Sequence, residues 1–440
     1  MKKIRLLLIT VVALILLLAL SSCGTNSAKG VFKKINSTMN KLDSHQSEAT
    51  VNACVRINER WVRISGHTKE VLYKLSSKDC YVYSETNTRT TVDNSATDIM
   101  RIKAYNDGTA YSYAVSGGSV QSICSPLSRR EFLKYYQYNT SDFDTKDLYD
   151  CANRTFEETD GGGWVVKFSG YGEEVINSYL SSMGLAAGVI DDKAVDMEIT
   201  LKADSEFRAT SMTMRIIFDG DNGSGAIKPE IESTIYYSAY NSVVPKTDNL
   251  NPAYYKEVAD VRLADGIQYM IEDFQNRRSG RFTLEVAQDN GKATYSEESI
   301  VRFGTSGGKY HYEIEAEIEG EDRDITYSNG EKITVNNGKE KKEKQSDAEA
   351  RSFINGLINS ANYNAVYVED IVETGKGIYK ITLDISNVEQ YKDLLGGAYL
   401  NADQTIYVTI KRKKIDKIES HVTLNYYGGE LNVTSIVDFS

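Results

Sequence analysis

The chain has 440 residues, of which 41% are hydrophobic, and a formal net charge of −11 at pH 7. This length and composition suit two or three folded domains and argue against disorder. The acidic balance argues against nucleic acid as a partner and against a polybasic patch for membrane binding.

The first residues have the pattern of a bacterial export signal. Three basic residues, Lys2, Lys3 and Arg5, precede an unbroken apolar run over residues 6–20. The run has the length of a signal-peptide core and is short for a helix that spans a membrane. We therefore predict a cleaved signal peptide over residues 1–22.

The cleavage region predicts a lipid anchor. Leu20-Ser21-Ser22-Cys23 matches the bacterial lipobox, in which an apolar residue and two small residues precede the lipidated cysteine. More than one acyl chain, such as palmitate, on Cys23 would anchor the protein stably, because a single chain binds membranes only reversibly. We expect a lipidated N terminus and spacer over residues 23–30, at the extracytoplasmic face of the cell membrane.

The rest of the chain repeats one order of predicted elements. A polar linker over residues 245–256, which begins with Pro245 and also contains Pro252, separates a first tandem unit over 31–244 from a second over 257–440. Such a proline-containing polar stretch is typical of a boundary between folded units. Each unit begins with an amphipathic helical pattern and continues into long alternating strands.

Matching motifs recur in the same order in both tandem units. Residues 105–108 (YNDG) correspond to residues 327–330 (YSNG), and each predicts a tight hairpin turn. Helical patterns follow, at residues 129–132 in the first unit and 350–353 in the second. Because the order of the matches is kept, the sequence predicts an internal duplication.

The strand patterns predict the fold of each unit. Apolar and polar residues alternate over 51–57, and over 312–319 glutamates occupy every outward position. Short Asp-Gly and Asn-Gly turns are typical of antiparallel meanders, and the few amphipathic helices must cover an apolar sheet face. We predict an α+β class, with a large curved antiparallel β-sheet (an open half-barrel) and a few helices across its concave face.

The lipobox at Cys23 and this order of elements resemble the LolA/LolB-like lipoprotein-carrier superfamily and its LppX-type relatives. The resemblance spans both tandem units in outline, although two units on one chain are unusual for it. It implies a cavity between sheet and helices that holds acyl chains. The helix residues expected to line that cavity are Phe132, Leu133, Tyr136, Tyr179, Leu180 and Met183 in the first unit and Phe353, Leu357, Tyr391, Leu394 and Leu395 in the second. The alternative is that these side chains fill a solid core.

The sequence contains little that points to catalysis or metal binding. The four histidines, His45, His67, His311 and His421, lie in separate segments, and no phosphate-binding, dinucleotide-binding or serine-hydrolase motif is present. Residues 219–230 place oxygen ligands as a calcium loop does at the first, third and twelfth positions, but lack its central glycine. We interpret that stretch as an enlarged hairpin loop, and expect no enzyme activity, cofactor or metal.

Four cysteines, Cys54, Cys80, Cys124 and Cys151, lie in the first tandem unit. An even number outside the cytoplasm allows two disulfides in three connectivities, and we expect at least one bond.

Two functions fit the sequence. The first is a non-enzymatic, membrane-anchored lipoprotein that binds a lipid or other hydrophobic ligand between sheet and helices. The alternative is an envelope interaction or scaffold protein that uses its outer sheet faces, with no small-molecule ligand. The 30 tyrosines and the glutamates of the alternating strands favour broad polar faces of that kind.

Overall fold

The computed structural model describes residues 27–57, 60–92, 95–136, 151–182, 190–219, 229–265, 279–358, 367–384, 399–412, 414–426 and 429–440. Strands make up 65% of the structure and helices 13%. The protein is therefore nearly all β, and the predicted α+β class was wrong.

Element lengths explain the correction. The described helices are 8 to 12 residues long, whereas the longest strands reach 14 residues. Twelve residues make only about three helical turns, so each helix covers a small part of a sheet. The expected layer of helices across a concave face is replaced by two large antiparallel sheets with a few short helices.

The elements are as follows. The helices are α1 (Ala28–Met39), α2 (Arg129–Tyr136), α3 (Glu173–Ser182) and α4 (Asp347–Ile358), with 3-10 turns at Pro252–Tyr254 and Val261–Asp265. The strands are β1 (Ser44–Ile57), β2 (Arg60–Tyr73), β3 (Tyr81–Val92), β4 (Ser95–Asn106), β5 (Thr109–Ser116), β6 (Ser119–Pro126), β7 (Cys151–Glu158), β8 (Trp164–Tyr171), β9 (Ala194–Ala203), β10 (Ala209–Phe218), β11 (Glu230–Ser238), β12 (Lys256–Glu257), β13 (Ser279–Asp289), β14 (Thr294–Ser306), β15 (Lys309–Ile318), β16 (Glu321–Ser328), β17 (Glu331–Asn336), β18 (Lys339–Lys344), β19 (Val368–Gly375), β20 (Ile378–Asp384), β21 (Tyr399–Lys411), β22 (Lys414–Tyr426) and β23 (Gly429–Asp438).

The strands form two sheets with the same internal order. Sheet A has the order β12-β6-β5-β4-β3-β2-β1-β11-β10-β9-β8-β7, and sheet B has the order β18-β17-β16-β15-β14-β13-β23-β22-β21-β20-β19. Apart from β12, which pairs with β6 in parallel, each strand of sheet A has a counterpart at the same place in sheet B. This repeated order is what an internally duplicated chain would produce.

Contacts between residues group the chain into two compact bodies. Body 1 takes its described residues from Met1–Ala96, Tyr136–Leu185 and Val189–Pro245, and body 2 from Thr97–Tyr135, Ala186–Gly188 and Lys246–Ser440. The predicted boundaries of the signal peptide, spacer, tandem units and linker stay predictions.

The predicted hairpin turns are confirmed. Asp107 and Gly108 join β4 to β5, and Asn329 and Gly330 join β16 to β17, all with positive φ between 46° and 84°. Two successive residues in this left-handed region give a turn whose twist matches that of the flanking strands. Asp, Asn and Gly adopt this conformation more readily than other residues, so the sequence signal was specific.

The core of body 1 lies where α1 packs on β7 and β8. The Ser27 side chain caps α1 by accepting a hydrogen bond of 3.1 Å from the Gly30 N–H. Phe32 of α1 meets Phe168 of β8 edge to face at 5.7 Å. These rings belong to a buried cluster on one face of the sheet, which we call the core face of body 1.

In body 2, α4 packs on β15 of sheet B. Ser346 and Glu349 form a capping box, in which the Ser346 N–H donates to Glu349 at 2.6 Å and the Glu349 N–H donates to the Ser346 hydroxyl at 3.2 Å. Beneath the helix, the Tyr312 ring stacks on Tyr327 at 5.5 Å and lies 5.7 Å from Phe353. This part of sheet B is sealed by aromatic side chains.

Candidate functional site

One part of the core face of body 1 is partly exposed to solvent. It lies near the middle of β1, β2, β10 and β11, and consists of Ala49, Val51, Gly66, Thr68, Met212, Met214, Ser233 and Ile235. Strand register brings these residues together: Val51 lies opposite Gly66 on one side and Ser233 on the other. Ile235 likewise lies opposite Ala49 and Met212. We call these eight residues the open patch.

The open patch combines apolar and hydroxyl side chains. Met212 and Met214 pack against the buried cluster, so the apolar part of the patch continues into the core. On the opposite side, the Thr68 and Thr86 hydroxyls share a hydrogen bond of 3.0 Å. Flexible methionines beside hydroxyl groups suit a molecule with an apolar part and a polar part.

Gly66 lies at the β2 edge of the patch, opposite Val51. It lies inside β2, where glycine weakens a strand and often indicates that another group approaches the backbone closely. A Cβ atom built at Gly66 would make only ordinary contacts, the nearest at 3.7 Å to the Cβ of Val51. A Cβ atom at Gly66 therefore fits without displacing its neighbours.

Glu70 lies at one end of the patch, one core-facing position beyond Thr68 on β2. It pairs across the strands with Ser47 on β1 and Ser84 on β3. The Tyr136 hydroxyl donates to its Oε1 at 2.8 Å, and the Ser47 hydroxyl donates to its Oε2 at 3.5 Å. Burial raises the pKa of the Glu70 carboxyl, and these two hydrogen bonds oppose the increase.

Beyond Glu70 the core face is sealed. Leu72 and Val82 are fully buried, and His45 lies opposite Leu72 with only 6% of its surface exposed. Burial lowers the pKa of His45 to about 4, so the ring is neutral at physiological pH. The ring of Tyr237 lies 6.2 Å away. The open patch therefore ends at Glu70, where the buried residues His45, Leu72 and Val82 follow.

The predicted cavity residues of the first tandem unit differ in how deeply they are buried. Phe132 is 1% exposed and stacks on Tyr105 at 4.8 Å, which is the environment of a core residue. Leu180 is buried in the cluster of body 1, and Tyr179 packs against that cluster. Leu133 is partly exposed on α2.

The other two predicted cavity residues of the first tandem unit are Tyr136 and Met183. Tyr136 contacts Glu70 beside the open patch through its hydroxyl group. Met183 lies outside the described residues.

In the second tandem unit, Phe353 and Leu357 are partly exposed on α4. Phe353 lies against Tyr312, and the ammonium group of Lys332 lies 4.8 Å from the centre of its ring. Tyr391, Leu394 and Leu395 lie outside the described residues, as does Cys23.

Sequence reasoning missed Glu70 and all eight residues of the open patch because it searched the helices. The signal lay in the strands. Core-facing positions of β2 change from apolar, at Val62 and Ile64, to polar at Thr68 and Glu70. On β3, the positions opposite Ile64 to Glu70 are all hydroxyl residues: Thr90, Thr88, Thr86 and Ser84. A run of polar residues at core-facing positions indicates where the apolar core is interrupted.

The outer face of sheet B is acidic. Glu285, Glu298, Glu317 and Asp322 lie directly opposite one another across four strands. With Glu315 and Asp324 they surround a shallow recess of about 480 Å³. Like charges in such a row repel each other, which gives this face a strongly negative potential.

The outer face of body 1 also has a recess, of about 530 Å³, but its charges are mixed. Cys54 lies there opposite Arg63 and Glu230. Glu230 pairs with Arg215 at 2.6 Å.

Among the described residues, no disulfide joins any two of Cys54, Cys80, Cys124 and Cys151, whereas the sequence led us to expect at least one. Among the described residues, no three or more His, Cys, Asp or Glu side chains are arranged to hold a metal ion. Within the same residues, no helix is both long and apolar enough to cross a membrane. The expectation that the protein is not an enzyme stays a prediction.

Comparison with known proteins does not show a family. No family model and no curated protein matches the chain. Among solved structures, OprD of Pseudomonas aeruginosa is 7% identical, with 90% of this chain and 94% of that chain covered and a TM-score of 0.15.

A putative AttH from Nitrosomonas europaea is also 7% identical, covering 90% and 93% of the two chains with a TM-score of 0.10. Transferrin binding protein B from Haemophilus parasuis is 5% identical, covering 90% and 75% with a TM-score of 0.12. Similarities at this level carry no argument about fold or function, and the resemblance to lipoprotein carriers stays a prediction.

Proposed function

We propose that this protein is an extracytoplasmic lipoprotein, anchored through Cys23, that binds an amphiphilic ligand on the open patch of body 1. The observation that supports the proposal is the partial exposure of Val51, Met212, Met214 and Ile235 on the face that elsewhere forms the core. Apolar residues on a core face are normally covered, and an uncovered group beside hydroxyls has the composition of a ligand site.

The energetics favour an alkyl chain as the apolar part of the ligand. Removing apolar surface from water contributes roughly 25 cal/mol per Å², or up to about 0.8 kcal/mol for each buried methylene group. A chain that contacts the methionines would also gain from their ability to adjust their shape. The lipobox supports the same function, because the anchor would keep the patch within reach of membrane lipids.

The binding site is tested with a neutral, apolar fluorescent probe, N-phenyl-1-naphthylamine. Met214→Lys places a charge on the open patch, whereas Thr213→Lys adds the same charge at the adjacent residue, which faces the opposite side of β10. We expect the native protein and Thr213→Lys to bind the probe with similar affinity, and Met214→Lys to bind at least tenfold more weakly, about 1.4 kcal/mol. Equal loss in both variants, or no binding by the native protein, would contradict the proposal.

The anchor is tested separately by metabolic labelling with an alkyne analogue of palmitate. The native chain should be labelled and recovered with membranes, and Cys23→Ser should be unlabelled and released. Lipid extracted from the purified native protein and identified by mass spectrometry would then name the ligand. Labelling of Cys23→Ser would place the lipid elsewhere and refute the lipobox interpretation.

A second candidate function is favoured by the acidic outer face of sheet B. An interaction protein of the envelope would use such a face to meet a basic partner surface, through interactions that weaken as salt screens them. A photo-crosslinking residue at Ile300, within the acidic recess, is compared with one at Thr213 on the outer face of body 1. Salt-sensitive crosslinking to one defined partner from position 300 alone would favour this function.

A further inference from the structure

Among the described residues, the hydrogen-bond partners of the Glu70 carboxylate are neutral. Its two oxygens accept hydrogen bonds from the hydroxyls of Tyr136 and Ser47, and its third close neighbour across the strands is Ser84. Within the described part of the chain, no Lys, Arg or His side chain forms an ion pair with it. The polar neighbours thus supply hydrogen bonds to Glu70 without supplying a compensating positive charge.

A structural role does not require a charge at this place. Tyr136 and Ser47 need an acceptor, and the amide oxygen of a glutamine would provide one. A carboxylate that is largely surrounded by protein loses hydration, which is unfavourable unless a cation compensates it. Glu70 nevertheless keeps part of its surface accessible, at the end of the open patch.

We propose that Glu70 binds the ammonium group of a cationic amphiphile whose alkyl chain lies on the open patch. This inference rests on the proposed function and specifies the chemical class of its ligand. Each Glu70 oxygen has one hydrogen bond from the protein, which leaves acceptor capacity on both oxygens for an ammonium donor. Hydrogen bonds of that kind, between two charged groups, are about twice as strong as neutral ones.

The dimensions of the sheet fit such a ligand. From Glu70 on β2, the strands β1, β11 and β10 follow in order towards Met212 and Met214. Three strand spacings of about 4.8 Å give a path of about 14 Å. The path passes Ala49 and Ile235, so an alkyl chain of about ten carbons would meet apolar groups along most of its length.

The test compares three ligands that differ only in the head group. Decylammonium, decanol and decanoate are titrated at neutral pH against the native, full-length protein, by displacement of N-phenyl-1-naphthylamine and by calorimetry. We expect decylammonium to bind at least tenfold more tightly than decanol, and decanoate to bind most weakly. Because this comparison uses the native protein, it does not depend on the folding of any variant.

Two matched variants locate the effect. In Glu70→Gln the preference for decylammonium over decanol should fall to less than twofold, while the affinity for decanol stays as in the native protein. Glu48→Gln removes the same charge from an exposed position on the opposite face of β1, and should keep the native preference. Circular dichroism checks that both variants are folded.

The possible results separate the two proposals. If decanol and the neutral probe bind but decylammonium is not preferred, or if decanoate binds best, the role of Glu70 is refuted and the ligand site stands. A preference that persists in Glu70→Gln refutes it equally. If none of the three ligands binds the native protein in calorimetry, the proposed function fails as well.

Discussion

The core faces of body 1 and of sheet B are built on the same order of strands and differ in how they are covered. On sheet B, Tyr310 and Tyr312 of β15 are buried beneath α4. The counterpart strand in body 1 is β3, which presents Thr86 and Thr88 and remains partly exposed. Strand order therefore does not decide whether a sheet face is buried or stays partly exposed. The side chains at the core-facing positions of the strands decide it.

The aromatic seal of sheet B gives the largest expected effect. Tyr312 is fully buried, stacks on Tyr327 and donates a hydrogen bond of 3.1 Å to Gln345. Tyr312→Ala should lower the free energy of unfolding by about 3–5 kcal/mol, because it removes a large buried ring and leaves a cavity. Denaturant unfolding measures this loss. Tyr236→Ala, at a position 58% exposed on the outer face of body 1, should change stability by less than about 0.5 kcal/mol.

The stability of body 1 should depend on pH through His45. His45 in body 1 has a pKa lowered from 6.5 to about 4. The unfolded chain therefore takes up a proton before the folded chain does, and stability is lost as the pH falls from 6.5 to 4. This difference between the pKa of His45 in the unfolded and the folded protein lowers the free energy of unfolding by an amount on the order of 3 kcal/mol. His45→Phe should remove this loss.

The measurement for His45 is a series of unfolding curves between pH 7 and pH 4. His67→Gln is the matched control, because His67 is exposed on the opposite face of the sheet. If native protein and His45→Phe lose stability in parallel over this range, His45 is accessible to protons in the folded state.

A larger side chain in the open patch should cover the core face of body 1 more completely, as the core face of sheet B is covered. Gly66→Val adds a β-branched side chain to an extended strand, at a position where a Cβ atom makes only ordinary contacts. We expect probe affinity to fall about tenfold, or about 1.4 kcal/mol, with stability unchanged or slightly higher. Ser65→Val, which faces the other side of β2, should bind the probe normally. A stable Gly66→Val protein with native affinity would show that the ligand does not lie over Gly66.

The smallest expected effect is the contribution of Glu70 to the pH dependence of stability. It has the opposite sign to the contribution of His45. Because the pKa of Glu70 is raised in the folded protein, the folded state binds the proton more tightly, and stability falls as the pH rises through that pKa. Glu70→Gln should therefore be more stable than the native protein at pH 7, and this advantage should disappear below pH 4.5. Thermal unfolding at both pH values measures it; a variant that is less stable at pH 7 would indicate a stabilising cation beside Glu70.

Particular residues show how far sequence reasoning reached. The turns at 105–108 and 327–330 were predictable because Asp-Gly and Asn-Gly favour the left-handed backbone that a two-residue hairpin needs. The helical patterns at 129–132 and 350–353 were also predicted, and they lie in α2 (Arg129–Tyr136) and α4 (Asp347–Ile358). The α+β class was wrong because helical spacing shows that a helix forms and not how much of a sheet it covers.

The candidate site was less predictable. Phe132 and Leu180 were expected to line a cavity, and both are buried among other side chains. Apolar helix residues look alike in sequence whether they fill a core or line a pocket, since both environments exclude water. Glu70 attracted no attention, because a single glutamate in an acidic chain carries no pattern of its own.

The sequence by itself determined the tight turns and the alternation of the strands, because these depend on residues close together in the chain. The export signal and the lipobox at Cys23 stay predictions from the sequence. Tertiary structure alone decided which core-facing residues are covered and which stay open. It also decided that Glu70 meets Ser47 and Tyr136, residues that lie 23 and 66 positions away along the chain. The reason is that burial and electrostatic environment depend on strand register and on packing between distant segments, and neither is written in local sequence.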